Sequence, residues 1–253
     1  MKPLLYLLPA FIVMLNGCDK DSGVNPDNQQ DTSLKVKTIT ENISRSPSDV
    51  ISNDIFSLKY DNQERLINMK SDNTSIIFEY NNNIIRKTTY RFGNDTSYID
   101  FYFNQVSHLL DSTFLTYKGS IYIKRSIYSY DSENMREKEI VIEKDEYGER
   151  SDTGFYTYDQ KGNLLSIITS GGIYINYTYS DSANFYNTAD MINPDRIKSP
   201  NLLIAYSWAA NAASHVDSRS NYEFDDHHRI SQIIDTVYPK GDMWVQTTSY
   251  TYY

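Results

Sequence analysis

One pattern governs what this chain can become. A short strand rich in tyrosine or phenylalanine ends in an aromatic residue, an Asp/Asn turn follows, and an Ile/Leu-bearing strand returns. It reads as Phe56-Ser57-Leu58-Lys59-Tyr60 followed by Asp61-Asn62-Gln63-Glu64. It recurs as Ile76-Ile77-Phe78-Glu79-Tyr80 with Asn81-Asn82-Asn83, and as Ile99-Asp100-Phe101-Tyr102-Phe103 with Asn104-Gln105. Further copies end at Tyr130-Asp131, Tyr158-Asp159 and Phe224-Asp225. Asp and Asn suit such turns because their side chains bond nearby backbone amides and tolerate left-handed dihedrals. Period-2 alternation, clearest in Ile173-Tyr174-Ile175-Asn176-Tyr177-Thr178-Tyr179, puts alternate residues on one face of a strand. Turn signals every 8–12 residues specify hairpins rather than βαβ units. The fold class expected is all-β: an antiparallel meander of about 12–15 strands in a barrel-like or strongly curved sheet.

The pattern breaks once. Tyr179 and Phe224 lie 45 positions apart, about twice the usual interval, and the stretch from Asp181 to Pro200 contains Asn193-Pro194 and Ser199-Pro200. These dipeptides punctuate a long loop excursion, a cover or a binding loop. Leu202–Trp208 then reads as a buried strand.

The N-terminus carries a different signal. Lys2 precedes twelve mostly apolar, uncharged residues, Leu4–Leu15. That is the length of a secretory signal, and short of the ~20 residues a transmembrane helix needs. The run ends Leu15-Asn16-Gly17-Cys18, which resembles the bacterial lipobox, with Asn16 the least usual member. The resemblance makes residues 1–17 a lipoprotein signal peptide and the Cys18 thiol the acceptor of a diacylglycerol. Several acyl chains on one residue give stable anchoring. Cys18 is the only cysteine, so no intrachain disulfide can brace the exported domain. Residues 18–33 follow as a flexible acidic tether, with Val24 the one apolar side chain after the cysteine. It spans roughly 20 Å, from about 5–6 Å times the square root of its length. Its acidic start resembles the surface-export signal of Bacteroidota lipoproteins.

Residues 34–253 form the tyrosine-rich β domain, with 23 tyrosines in the full chain. Tyrosine favours strands and half-wet surfaces. Without Lys2, 23 basic and 33 acidic residues remain, a net charge of −10. With no Lys/Arg cluster, nucleic acid is not an expected partner, nor are anionic headgroups for the domain itself. Charge at Lys124-Arg125 and Glu137-Lys138-Glu139 argues against the uninterrupted apolar outer face of a membrane pore.

The segment Tyr158-Asp159-Gln160-Lys161-Gly162-Asn163-Leu164 closely resembles the YD repeat, a tyrosine–aspartate hairpin of large bacterial surface and toxin-encasing proteins. The chain as a whole is similar to a family of Bacteroidota lipoproteins of unknown function with a porin-like fold. Those members share the lipobox, such hairpins and a segment like Lys198-Ser199-Pro200-Asn201-Leu202-Leu203. The resemblance implies an antiparallel barrel-like sheet at the outer membrane and implies no activity.

Motifs of catalysis are missing: no nucleophile elbow, phosphate loop, HExxH or dinucleotide fingerprint occurs. Asp225-Asp226-His227-His228 is the one metal-like cluster. It falls in a repeat turn, where a solvated turn is the plain role and a weak divalent site the sharper one. Glu143-Lys144-Asp145-Glu146 offers a carboxylate pair for glycoside hydrolysis but, with Tyr147-Gly148 after it, reads as a hairpin. Trp208, Trp244 and the tyrosines suit either sugar rings or cross-strand packing. No cofactor and no metal are expected. The expected role is a lipid-anchored, non-catalytic envelope module that binds a glycan, a lipid or a protein. The alternatives are an assembly partner of another outer-membrane protein and a hydrolase with a scattered site.

Overall fold

The computed structural model describes residues 35–46, 49–91, 95–183, 199–211, 214–227, 229–239 and 243–253. Cys18, the signal segment and the tether lie outside them.

The described residues contain strands and turns and no helix. The strands are β1 (Val36–Ser46), β2 (Asp49–Tyr60), β3 (Leu66–Lys70), β4 (Thr74–Asn81), β5 (Ile84–Arg91), β6 (Thr96–Phe103), β7 (Leu110–Tyr117) and β8 (Ile123–Tyr130). They continue as β9 (Arg136–Asp145), β10 (Gly148–Tyr158), β11 (Leu164–Thr169), β12 (Tyr174–Ala183), β13 (Asn201–Asn211), β14 (Ser214–Phe224), β15 (Ile230–Pro239) and β16 (Trp244–Tyr252). Each pairs antiparallel with its sequence neighbours, and β16 returns to β1 through pairs such as Ile39↔Tyr250 and Glu41↔Thr248. The meander therefore closes into a barrel, which leaves no unpaired edge strand.

The expected antiparallel barrel is present, and its sixteen strands exceed the expected number by one. The first hairpin carries the extra strand. β1 is mostly Thr, Asn, Ser and charged residues, with only Val36, Ile39 and Ile43 apolar, so it gives a weak strand signal. The expected loop excursion lies mostly in residues 184–198, outside the described residues, and the strand that begins at Asn201 is less buried than its sequence suggests. Leu202 and Leu203 are buried, but Ile204 is exposed and Ala205 to Ala209 are half-buried.

Register identifies the inside. Ile39 pairs with Phe56, Leu58 with Met69, and Met69 with Ile76, and all five are buried. Their sequence neighbours on the other face are open: Ile55 is 59% exposed. No second layer covers the sheet among the described residues, so the buried face is the lumen. The buried apolar side chains fall into three clusters: Leu202–Ile230–Ile233, then Val36 through Phe78, then Phe101–Leu110–Tyr128. Each cluster runs along neighbouring strands and none joins opposite walls. Sixteen strands enclose a wider interior than the eight that side chains alone fill, and the side chains of the largest cluster are packed away from solvent, Val36 and Leu66 at 0% and Ile39 and Met69 at 1% exposure.

Five collar tyrosines repeat one contact around the end where the described chain starts and finishes. Each sits at or next to the end of an even-numbered strand. Its hydroxyl donates to the carbonyl of the first residue of the preceding strand. The bonds are Tyr60 to Val36 at 2.9 Å, Tyr80 to Leu66 at 2.9 Å and Tyr130 to Leu110 at 2.8 Å. Tyr158 to Arg136 and Tyr252 to Ile230 follow, both at 2.8 Å. The ring meets the inner wall while the hydroxyl satisfies a strand-end carbonyl.

Candidate functional site

Beyond the collar lie the Asp turns. Asp131 Oδ1 accepts from the Glu133 and Met135 amides, and Asp159 Oδ1 from those of Lys161 and Asn163. Asp61 and Asp225 do the same. One residue of each well-described turn adopts positive φ: Glu64, Asn134 and Gly162. A bulge sits just before the last residue of β2, β8, β10 and β14, where it re-aims the final side chain.

Asp225-Asp226-His227-His228 is such a turn. The His227 amide donates to Asp225 Oδ1, and Asp225 Oδ2 is held by Arg229 Nε at 2.8 Å. His228 lies outside the described residues. Burial alone would raise the Asp225 carboxyl, but the Arg229 amide and guanidinium and the His227 amide hold it below the usual range. Among the described residues no three His, Cys, Asp or Glu side chains gather as metal ligands. Glu143–Glu146 lies at a hairpin: Asp145 pairs with Gly148, and Arg150 meets Glu143 at 2.9 Å and Asp145 at 3.3 Å.

The lumen wall mixes aromatic and charged groups. Arg136 stacks over Tyr128 at 4.0 Å and lies 5.9 Å from the Tyr156 ring centre. The Tyr156 hydroxyl donates to Glu139. Burial, then the Glu139 carboxylate, pushes that phenol far above its ordinary range. Glu41 and Asp54 are a directly opposed inward pair on β1 and β2. Burial, reinforced by the Asp54 charge, pushes Glu41 up to about 7. Asp235 accepts from the Ser220 hydroxyl. Trp208 and Trp244 face the same lumen, half-buried, on β13 and β16. The sequence marked neither Arg136 nor the Glu41–Asp54 pair, since even between neighbouring strands the register depends on turn length and bulges that the residue pattern does not show.

A cleft formed by described residues at the collar end has a volume of about 450 Å³. It is lined by Arg65, Tyr80, Asn82, Asn83, Ile85, Phe103, Gln105 and His108. It occurs where the repeat departs from its own rule. The β4–β5 turn has no bulge and only two residues between Asn81 and Ile84, and its Asn82 takes a φ of 50°. Its β6 neighbour ends in Phe103, which has no hydroxyl for the collar. Asn83 Nδ2 instead donates to the Phe103 carbonyl at 3.0 Å, and the Phe103 amide donates to the Asn83 carbonyl at 2.8 Å. In the sequence both segments, Asn81-Asn82-Asn83 and Phe103-Asn104, read as ordinary copies of the repeat, and only the structure shows that they depart from it beside a hollow.

No family model and no curated protein matches the chain. Solved structures do. A porin-like protein from Bacteroides uniformis superimposes with a TM-score of 0.56 at 13% identity, covering 87% of this chain and 99% of its own. A porin-like protein from Bacteroides vulgatus gives 0.56 at 14%, covering 86% and 98%. At such identities the likeness is one of fold. The fold is thus a porin-like antiparallel β-barrel.

Proposed function

We propose that this chain is a non-catalytic binding module of the cell envelope, held at the outer membrane by lipid on Cys18. The lumen carries the reading: three separate apolar clusters line the wall, interspersed with Arg136, Glu139, Glu41, Asp54 and Asp235. A scaffold would be better stabilised by apolar residues at those inward positions than by charged ones. The outer face speaks against a bilayer-spanning pore. Glu79, Arg86 and Asp100 stand in one outward register row with Phe114, Arg125 and Ile142. Charge on a lipid-facing strand costs about 2–4 kcal/mol per Arg or Lys at the midplane. The cysteine supplies an anchor that such a barrel does not need. Cell fractionation tests the anchor: Cys18→Ala should move the protein to the soluble fraction, and retention in membranes would refute it. A ligand screen with glycans and lipids, together with co-purification from cells, tests the binding role. A protein that binds nothing and brings down nothing would end it.

A second reading, assembly with another envelope protein, rests on one outward patch. Ile127 opposes Ile140, and Phe155 (50% exposed) opposes Ile168, which opposes Tyr174 (49% exposed). Exposed apolar patches of this kind mark interaction surfaces. A photo-crosslinker at Phe155 distinguishes the readings: one stable protein adduct in cells favours assembly.

A further inference from the structure

The cleft at the collar gap has a lining that narrows its ligand class. Its floor is apolar: Tyr80 packs with the Val36–Phe78 cluster, Phe103 with the Phe101–Leu110–Tyr128 cluster, and Ile85 with both. Its rim carries the amides of Asn82 and Gln105 and the imidazole of His108, groups that both donate and accept, and the Asn83 amide, whose Nδ2 is already given to the Phe103 carbonyl. The one full cation, Arg65, is already neutralised. Its Nε and Nη2 meet Asp61 Oδ2 at 2.8 and 2.7 Å, and its guanidinium lies 4.5 Å from the Tyr80 ring centre. The site therefore offers no net charge to an anion or a cation. An extended peptide has nothing to pair with, because the closed barrel leaves no open strand edge.

Resting on the binding-module reading, we propose that this cleft binds a neutral saccharide. A pyranose presents a C–H face to Phe103 and Ile85, since Arg65 already covers Tyr80, and a ring of hydroxyls to amides and imidazole. The volume, about 450 Å³, lies in the range of small-ligand sites. Two departures from the repeat make the room. The two-residue β4–β5 turn keeps the wall low, and Phe103 brings no collar hydroxyl across to the neighbouring strand.

The test uses the full-length protein purified in detergent and a panel of neutral oligosaccharides, with uronic-acid oligosaccharides as a second arm. Calorimetry on any hit then compares wild type with Gln105→Ala and Phe103→Tyr. Gln105 is exposed and Phe103→Tyr adds the hydroxyl present elsewhere in the collar, so unchanged thermal melts check that both still fold. The expected result is neutral-sugar binding that weakens at least ~10-fold, about 1.4 kcal/mol, in both variants, Gln105→Ala by losing a hydrogen-bonding amide and Phe103→Tyr by filling the gap with its added hydroxyl. Preference for the acidic sugars, or neutral-sugar binding that neither variant alters, overturns the proposal. Trp208→Ala locates the alternative. If that variant alone abolishes binding, the ligand sits in the lumen, and the cleft proposal fails while the binding module stands. No binding to any sugar, with a different ligand captured by the wild type, has the same consequence.

Discussion

The hydroxyl of Tyr60, the last residue of β2, donates to the carbonyl of Val36, the first residue of β1, at 2.9 Å. The bond ties the two open ends of a hairpin whose own turn lies at the far end of the barrel. Four other tyrosines repeat it. Tyr158→Phe keeps the ring and removes the bond, leaving the Arg136 carbonyl short of a partner. Urea denaturation should show a loss of about 1–2 kcal/mol with an unchanged slope. Tyr158 is tied this way and Phe103 is not, so Phe103→Leu should not reproduce a hydrogen-bond loss of that kind.

The turns outside the collar depend on their first residue. Asp159 holds the Lys161 and Asn163 amides with Oδ1 and the Asn163 side chain with Oδ2 at 2.8 Å. Asp159→Ala should therefore lower the melting temperature, while Asp159→Asn keeps an acceptor and should lower it less. Gly162 sits at a φ of 85°. Gly162→Ala should cost about 1 kcal/mol from backbone strain alone, because the added methyl would only touch Met135 at an ordinary 3.7 Å.

Acid should loosen these turns together. Burial, the largest single influence, raises the Asp61, Asp159 and Asp225 carboxyls, but the hydrogen bonds and nearby cations together outweigh it and hold all three below the usual range. A carboxyl depressed in the folded state stabilises above its unfolded value, and that stability is lost as pH falls through the folded one. Amide protection factors at Gln63, Lys161 and His227 should fall below about pH 4, set by the ordinary Asp value. Protection that stays constant down to pH 2 would contradict this.

Glu41 behaves in the opposite sense. Its folded value, about 7, lies above the ordinary 4.5, with burial the main cause and Asp54 the second. The folded barrel thus prefers the protonated acid. That preference is fully expressed below pH 4.5 and is lost as pH rises through 7, so Glu41 penalises folding in alkali. Glu41→Gln removes the titration. It should flatten stability between pH 5 and 8 and raise it at pH 8 by up to ~3 kcal/mol.

Arg136 is held in the lumen wall between Tyr128 and Tyr156, 9% exposed, beside Glu139. Arg136→Ala removes stacking surface and leaves Glu139 without its nearby cation. A loss of about 3 kcal/mol is expected in chemical denaturation. Arg136→Lys should recover only part of it, because an ammonium cannot stack as a planar guanidinium does.

The strands and their turns were legible in the sequence because they are local. An inward tyrosine, an Asp that bonds amides two and four residues on, and a residue tolerant of positive φ are all consecutive neighbours. Tyr158-Asp159-Gln160-Lys161-Gly162-Asn163 determines its own hairpin turn wherever it is placed. The Asp225–His228 cluster was likewise readable as a turn from its place in the repeat. The tertiary structure alone decided three things. Closure rests on β1 meeting β16, a pairing of Thr38 with Thr251 across 213 positions, and no local pattern encodes it. Period-2 alternation groups residues by face but does not say which face turns inward. Ile99 and Tyr98 are both apolar neighbours on β6, and only register places Ile99 inside and Tyr98 outside. Juxtapositions across strands, such as Glu41 with Asp54 and Phe103 with Asn83, follow from bulges and turn lengths that shift register by single residues. One residue of slip would invert every face, so the lumen and the cleft exist only once the whole ring has closed.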